Sequence, residues 1–232
     1  MLGGKIKNIV CIVCSLTTLL SSNYNYQIYL WSLNGAEVNI TTSSIKFDNT
    51  ESIKIVYEAN TKGIYNYLYM INNVYEVVID KQTNSILSYN KFINQPNLID
   101  TLYSERSNGK TIYPNLSDYV IKNNSMNIFS LIYSLNTQTD DNFIDKRIIL
   151  DRDGDEFECK IVKADNNVGD LHYLSINKIK NNNLIDKTDI FSWALFKGDV
   201  ERKVWINDYN NLYKCQFNSG LMTFTAEKSV EK

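Results

Sequence analysis

One histidine, His172, limits the proton-transfer chemistry open to this chain of 232 residues. Any imidazole-based triad or multi-histidine metal centre would have to include it. Its neighbours Leu171, Tyr173 and Leu174 place it on a strand, no nucleophile accompanies it in sequence, and no Gly-x-Ser-x-Gly elbow occurs. A histidine making one structural hydrogen bond is the expectation. The run Asp151-Arg152-Asp153-Gly154-Asp155-Glu156 spaces carboxylates at alternate positions, as the opening of a calcium loop does. An EF-hand would continue with glycine sixth and glutamate twelfth, where this chain has Glu156 and Val162, so a solvated hairpin turn is expected instead. Glu76, Asp80, Asp100 and Glu105 could pair as the carboxylates of a glycosidase do, but their spacing forms no motif and they read as solvated charges. With no Walker loop, dinucleotide fingerprint, zinc ligand set or basic aromatic platform, no catalytic residue, metal or cofactor is assigned, and nucleic acid is not expected as a partner.

Two further sets of side chains concern binding and redox state. Tyr65, Tyr67 and Tyr69 alternate with Ile64, Asn66, Leu68 and Met70 and would share one face of a strand. Such a face can line a groove and stack on a sugar or cover a lipid chain, or it can serve as a ladder of cross-strand packing partners. It is the first candidate for a ligand surface. Cys159 alternates with Phe157 and Ile161, and Cys215 with Tyr213 and Phe217, which puts each thiol on the apolar face of its strand. In an oxidising compartment they could form one disulfide. The alternative is two buried thiols acting as small hydrophobes.

The compartment is suggested by the first residues. Lys5 and Lys7 precede an uncharged run from Ile9 to Leu20, followed by Ser21-Ser22-Asn23. That order of positive, apolar and small-polar residues is a secretory leader, and the run is shorter than the roughly 20 apolar residues of a spanning helix. The reading is a signal peptide over 1–22 and a single β domain over 23–232, exported to the periplasm or the cell exterior, with no transmembrane span in the mature chain. Cys11 and Cys14 lie inside the apolar run and each follows valine, where a lipoprotein signal would carry a small residue, so a soluble product is expected. The chain has a net charge of −2, and losing Lys5 and Lys7 makes it more acidic still, which does not favour nucleic acid or an anionic surface.

The elements that must position these side chains are mostly strands. Residues 52–59, 64–70, 74–79 and 85–92 are rich in β-branched and aromatic residues and are separated by short polar turns, the pattern of an antiparallel meander. Apolar spacings of three and four predict a helix over Ile128–Leu135. Strands then resume over 143–150 and 157–163, joined by a turn in which Asp153-Gly154 supplies positive φ, and continue over 171–179, 191–196, 200–206, 212–217 and 221–226. The fold class is mainly β: a meander closing into a barrel or half-barrel with one short helical segment, a β-sandwich being the alternative.

Three segments are similar to a bacterial exported family, domain of unknown function 3108. They are Ile55-Val56-Tyr57-Glu58-Ala59 leading to Tyr75-Glu76-Val77-Val78-Ile79-Asp80-Lys81-Gln82-Thr83, the helix around Met126 to Leu135, and Lys203-Val204-Trp205-Ile206 through Leu212 to Leu221. The chain departs from the family near the last hairpin, where the family often has a proline. The resemblance implies an envelope-associated β fold and transfers no catalytic residue. The function expected is a non-enzymatic envelope protein that binds a lipid, an amphiphile or an envelope protein, or acts in assembly. The alternative is a carboxylate-dependent hydrolase of an envelope polymer.

Overall fold

The computed structural model describes residues 21–114, 119–121, 125–137, 143–164, 170–180, 188–207 and 211–229. Residues 1–20, with Cys11 and Cys14, lie outside the described residues, whereas Ser21 and Ser22, the last two residues of the segment read as a signal peptide, begin the first strand. The strands are β1 (Ser21–Leu30), β2 (Leu33–Phe47), β3 (Thr50–Thr61), β4 (Asn72–Asp80), β5 (Ile86–Gln95), β6 (Leu98–Ser107), β7 (Lys110–Tyr113), β8 (Tyr119–Ile121), β9 (Arg147–Arg152), β10 (Asp155–Lys163), β11 (Leu171–Lys180), β12 (Glu201–Ile206), β13 (Leu212–Ser219) and β14 (Met222–Lys228). The helices are α1 (Tyr65–Leu68), α2 (Ile128–Leu135) and α3 (Ile190–Phe196).

All fourteen strands form one antiparallel sheet in the order β8 to β1, then β14 down to β9. The join is β1 against β14, with Tyr26 opposite Lys228 and Leu30 opposite Phe224. A single sheet replaces the sandwich alternative. Its end strands β8 and β9 do not pair with each other, so the sheet curls into a half-barrel. The segment entering α2 ties its two halves together: Met126 N–H donates to Ile149 O at 3.0 Å, Asp151 N–H to Met126 O at 2.7 Å, and Ile86 N–H of β5 to Ser125 O at 3.2 Å.

The helix predicted over Ile128–Leu135 is present and fills the concave face. Asn127 and Ser130 form a reciprocal capping box, and six of the eight helical residues are buried. Phe129 stacks on Tyr75 with ring centroids 4.4 Å apart and meets Tyr57 at 5.0 Å, while Tyr57 donates its hydroxyl proton to Phe129 O at 2.7 Å. The core is therefore aromatic at its centre, with the hydroxyls of Tyr57 and Tyr75 engaged by the Phe129 carbonyl and the Asp189 carboxylate, as buried tyrosines require.

Two segments read from sequence as strands are helical. Residues 64–70 form α1 and its flanks: β3 and β4 already pair at Asn60 and Asn72, and the connection between them is longer than a tight turn uses, so the excess chain folds into a helical turn. Residues 191–196 form α3, whose start is fixed by Asp189 accepting Ser192 N–H at 2.9 Å. That cap overrides the β propensity of Phe191, Trp193 and Phe196.

Candidate functional site

Antiparallel neighbours reverse direction, so the β1–β2, β3–β4, β5–β6, β9–β10, β11–β12 and β13–β14 connections all reach one end of the half-barrel. Trp31 confirms the convergence, donating its indole N–H to Leu221 O at 2.6 Å. A cavity of about 300 Å³ lies inside this end. The sheet contributes Leu30, Ala36, Val38, Ala59, Phe224 and Ala226 as inward-facing walls. Tyr65 and Tyr69 from α1 and Phe191, Ala194 and Leu195 from α3 complete the lining. Gly35 allows the α1 wall to close, because a Cβ there would stand 3.1 Å from Cδ2 of the Tyr65 ring. Two of the polar side chains at the wall are engaged within the protein: Asn73 donates to Tyr75 Oη at 3.2 Å and Gln95 Oε1 at 3.3 Å, and Thr61 Oγ1 accepts Ile71 N–H at 2.9 Å. The volume is at the small end of ligand sites, and the surface offered to an occupant is apolar.

Helix α3 crosses this space as a strap fastened at both ends. At its N-terminus Asp189 receives Tyr75 Oη at 2.7 Å and Lys91 Nζ at 2.7 Å, so it binds to β4 and β5 together. At its C-terminal end Arg202 of β12 donates to Leu195 O, to Val200 O at 2.9 Å and to Lys197 O at 2.7 Å. The guanidinium fork thereby takes up carbonyls that a helix end leaves unpaired.

Behind the cavity wall lies a buried charged cluster. Lys91 also pairs with Asp153 Oδ2 at 2.5 Å, and Thr188 donates to the same oxygen at 3.1 Å. Burial alone would push the Lys91 ammonium down, but the carboxylates of Asp153 and Asp189 outweigh it and hold the group above its ordinary value. Burial opposes ionisation of Asp189 too, yet Lys91, Ser192 N–H and Tyr75 hold its carboxyl below the ordinary range. Asp151 differs. Burial pushes it up to about 7, against the hydrogen bonds from Tyr113 Oη at 2.5 Å and Gly154 N–H at 2.9 Å. Asp155 pairs with Arg152 at 3.0 Å and Lys178 at 2.8 Å.

The acidic run is thus a hairpin turn, as its Asp-Gly pair implies, but not a solvated one: Asp151, Asp153 and Asp155 are all buried and engaged. The turn itself has Asp153 at φ 53° and Gly154 at φ 94°. Among the described residues no group of three or more His, Cys, Asp or Glu side chains is placed to hold a metal ion. Tyr65 and Tyr69 come to the cavity, from one face of a helical turn instead of a strand, while Tyr67 points away and is 91% exposed. Cys159 and Cys215 are buried as read, but both are free thiols. They lie three strands apart in one sheet, on β10 and β13, which separates them along the sheet by about 14 Å at ~4.8 Å per strand and explains the absence of a bond. His172 is buried with Nδ1 at 2.9 Å from Asp170 O, and its Nε2 has no hydrogen-bond partner among the described residues, so no triad forms around it.

Glu76 pairs with Lys54 at 2.8 Å, Asp80 caps its own turn through Gln82 and Thr83, Glu105 accepts from Tyr103, and Asp100 accepts Thr101 N–H. The four carboxylates are not brought together. Asp153 and Asp189, which Lys91 does bring together, escaped sequence reading because Lys91 and Asp189 are remote from the acidic run. The one signal available was Lys91 itself, at an inward-facing position between Tyr89 and Ile93 of β5.

No family model matches the chain, and no curated protein matches it. Among solved structures the chain is similar to a β-barrel-like protein of domain of unknown function 1849 from Brucella abortus, at 7% sequence identity and a TM-score of 0.49, covering 89% of this chain and 95% of that one.

Proposed function

We propose that the protein binds a single-chain amphiphile, with the apolar chain in the cavity under α3 and the polar head at the open end of the half-barrel. The observation that carries this reading is the cavity of about 300 Å³, whose walls are mostly aliphatic and aromatic. No charged side chain lines it among the described residues, and each methylene withdrawn from water contributes about 0.8 kcal/mol. The secretory pattern of the first residues and the resemblance to domain of unknown function 3108 support an envelope setting, in which the protein carries or presents the amphiphile outside the cytoplasm. The hydrolase alternative loses its support, because the carboxylates it needs are scattered or sealed into ion pairs behind the wall.

Displacement of a dansylated fatty acid by dodecanoate from the purified protein, in the absence of membranes, tests the proposal. Binding tighter than about 1 mM is expected, and Ala194→Trp, which puts an indole into the cavity from α3, should abolish it with an unchanged circular dichroism spectrum. Failure of the wild type to bind, or equal binding by the Ala194→Trp variant, would overturn the reading.

A further inference from the structure

Among the described residues seven large apolar side chains are more than half exposed: Trp31, Leu33, Ile64, Tyr67, Leu68, Ile99 and Leu221, from 56% at Trp31 to 93% at Leu221. All seven lie in, or within two residues of, the β1–β2, β3–β4, β5–β6 and β13–β14 connections, which the topology gathers at the end where the cavity lies. The tight turns at the other end, Asp48-Asn49 and Asn108-Gly109, and the Lys81-Gln82-Thr83-Asn84 turn are polar.

Backbone conformation adds an independent sign. The turns Asp48-Asn49 and Asn108-Gly109 use residues that accept positive φ readily. At the cavity end the same left-handed geometry is imposed on Trp31, at φ 48°, and Ser32, at φ 70°. A bulky indole is disfavoured there. The conformation sets Trp31 at the very tip of a hairpin, with its N–H held by the Leu221 carbonyl and much of its ring in solvent.

We infer that this end of the molecule docks on the surface of a lipid bilayer, dipping the tips of its loops and α1 into the interface. The inference rests on the amphiphile-binding reading and deepens it by naming where the ligand is collected or delivered. Three features select a membrane over a protein partner. The exposed apolar side chains come from four different connections, which suits a fluid phase that needs no matching shape. They combine Trp and Tyr with aliphatic tips, the composition that partitions to the headgroup boundary. The rim is also continuous with the cavity, since α1 supplies exposed Tyr67 and Leu68 to one and Tyr65 and Tyr69 to the other, so an acyl chain could pass between bilayer and cavity without crossing water. Charge contributes little: Lys197 rests on Trp193 at 5.0 Å, while Lys62 at the rim is already neutralised by Glu37.

Flotation of the purified protein with vesicles of phosphatidylcholine and phosphatidylglycerol tests the inference. Wild-type protein should float with the vesicles and continue to do so in high salt. A variant carrying Tyr67→Ser, Leu68→Asp, Ile99→Asp and Leu221→Asp, all exposed positions, should lose vesicle affinity by about a hundredfold or more while displacing the dansylated fatty acid in solution as the wild type does. Ala194→Trp should show the reverse, floating normally without binding dodecanoate. Undiminished flotation of the rim variant would overturn the inference. So would wild-type protein that binds dodecanoate but not vesicles, or a self-association in sedimentation velocity that the rim substitutions abolish. Flotation without dodecanoate binding would leave the docking surface standing and remove the cavity reading.

Discussion

Asp151 shows how burial, not proximity to other acids, sets the chemistry of the charged cluster. The folded protein holds its proton up to about pH 7, whereas the unfolded chain releases it near the ordinary value of 3.8. Between those values the unfolded state binds fewer protons, so stability falls as pH rises through the window, and the loss is complete above about 7. At about 1.4 kcal/mol per pH unit the cost is on the order of 4 kcal/mol. Asp151→Asn should therefore be more stable than wild type at pH 8 and indistinguishable from it near pH 4, when urea unfolding is followed across that range. Equal pH dependence of the two proteins would show that Asp151 ionises freely in the folded state. Residue-level reading of the sequence caught the buried faces of Cys159 and Cys215, because alternation with charged neighbours reports burial directly. It missed their separation, since strand order, not strand pattern, decides which buried thiols meet.

At the scale of elements, α3 carries most of the meaning. It closes the cavity because Asp189 at one end and Arg202 at the other join it to strands on opposite sides of the concave face. Lys91 neutralises both Asp189 and Asp153 in a buried place, so Lys91→Met should destabilise the protein by about 3–5 kcal/mol in chemical denaturation, the cost of leaving buried charges unpartnered. A loss of about 1 kcal/mol or less, the size of an exposed pair, would show that the cluster is hydrated and that the strap does not depend on it. Helix α2 was legible in the sequence through its apolar spacing. Helix α3 was not, because Phe191-Ser192-Trp193-Ala194-Leu195-Phe196 alternates like a strand and its cap acts only once β4 and β5 are in place. The same difficulty hid α1, whose tyrosines alternate as a strand's would but serve the cavity from a single helical turn.

The whole molecule is a meander of fourteen strands that stops short of closure and admits two helices to its concave face. The barrel-or-half-barrel class was legible because short strands and polar turns recur along the chain, and turn chemistry such as Asp153-Gly154 fixes the hairpins locally. What could not be read was the interior, which depends on β1 meeting β14 across the length of the chain and on which side chains that pairing turns inward. The two ends differ for the same reason: the polar Asp48-Asn49 and Asn108-Gly109 turns lie at one, and the most exposed apolar side chains lie around the cavity at the other, with the polar Asp153-Gly154 turn beside them.

A cavity that holds an apolar chain must bind longer chains more tightly, which affinity measured along the series octanoate, decanoate, dodecanoate reads out. Two added methylenes should tighten binding by about 1.6 kcal/mol, roughly fifteenfold, at each step until the cavity is filled, and Ala194→Trp should remove the trend. An affinity independent of chain length, or a series that the Ala194→Trp variant reproduces, would contradict it.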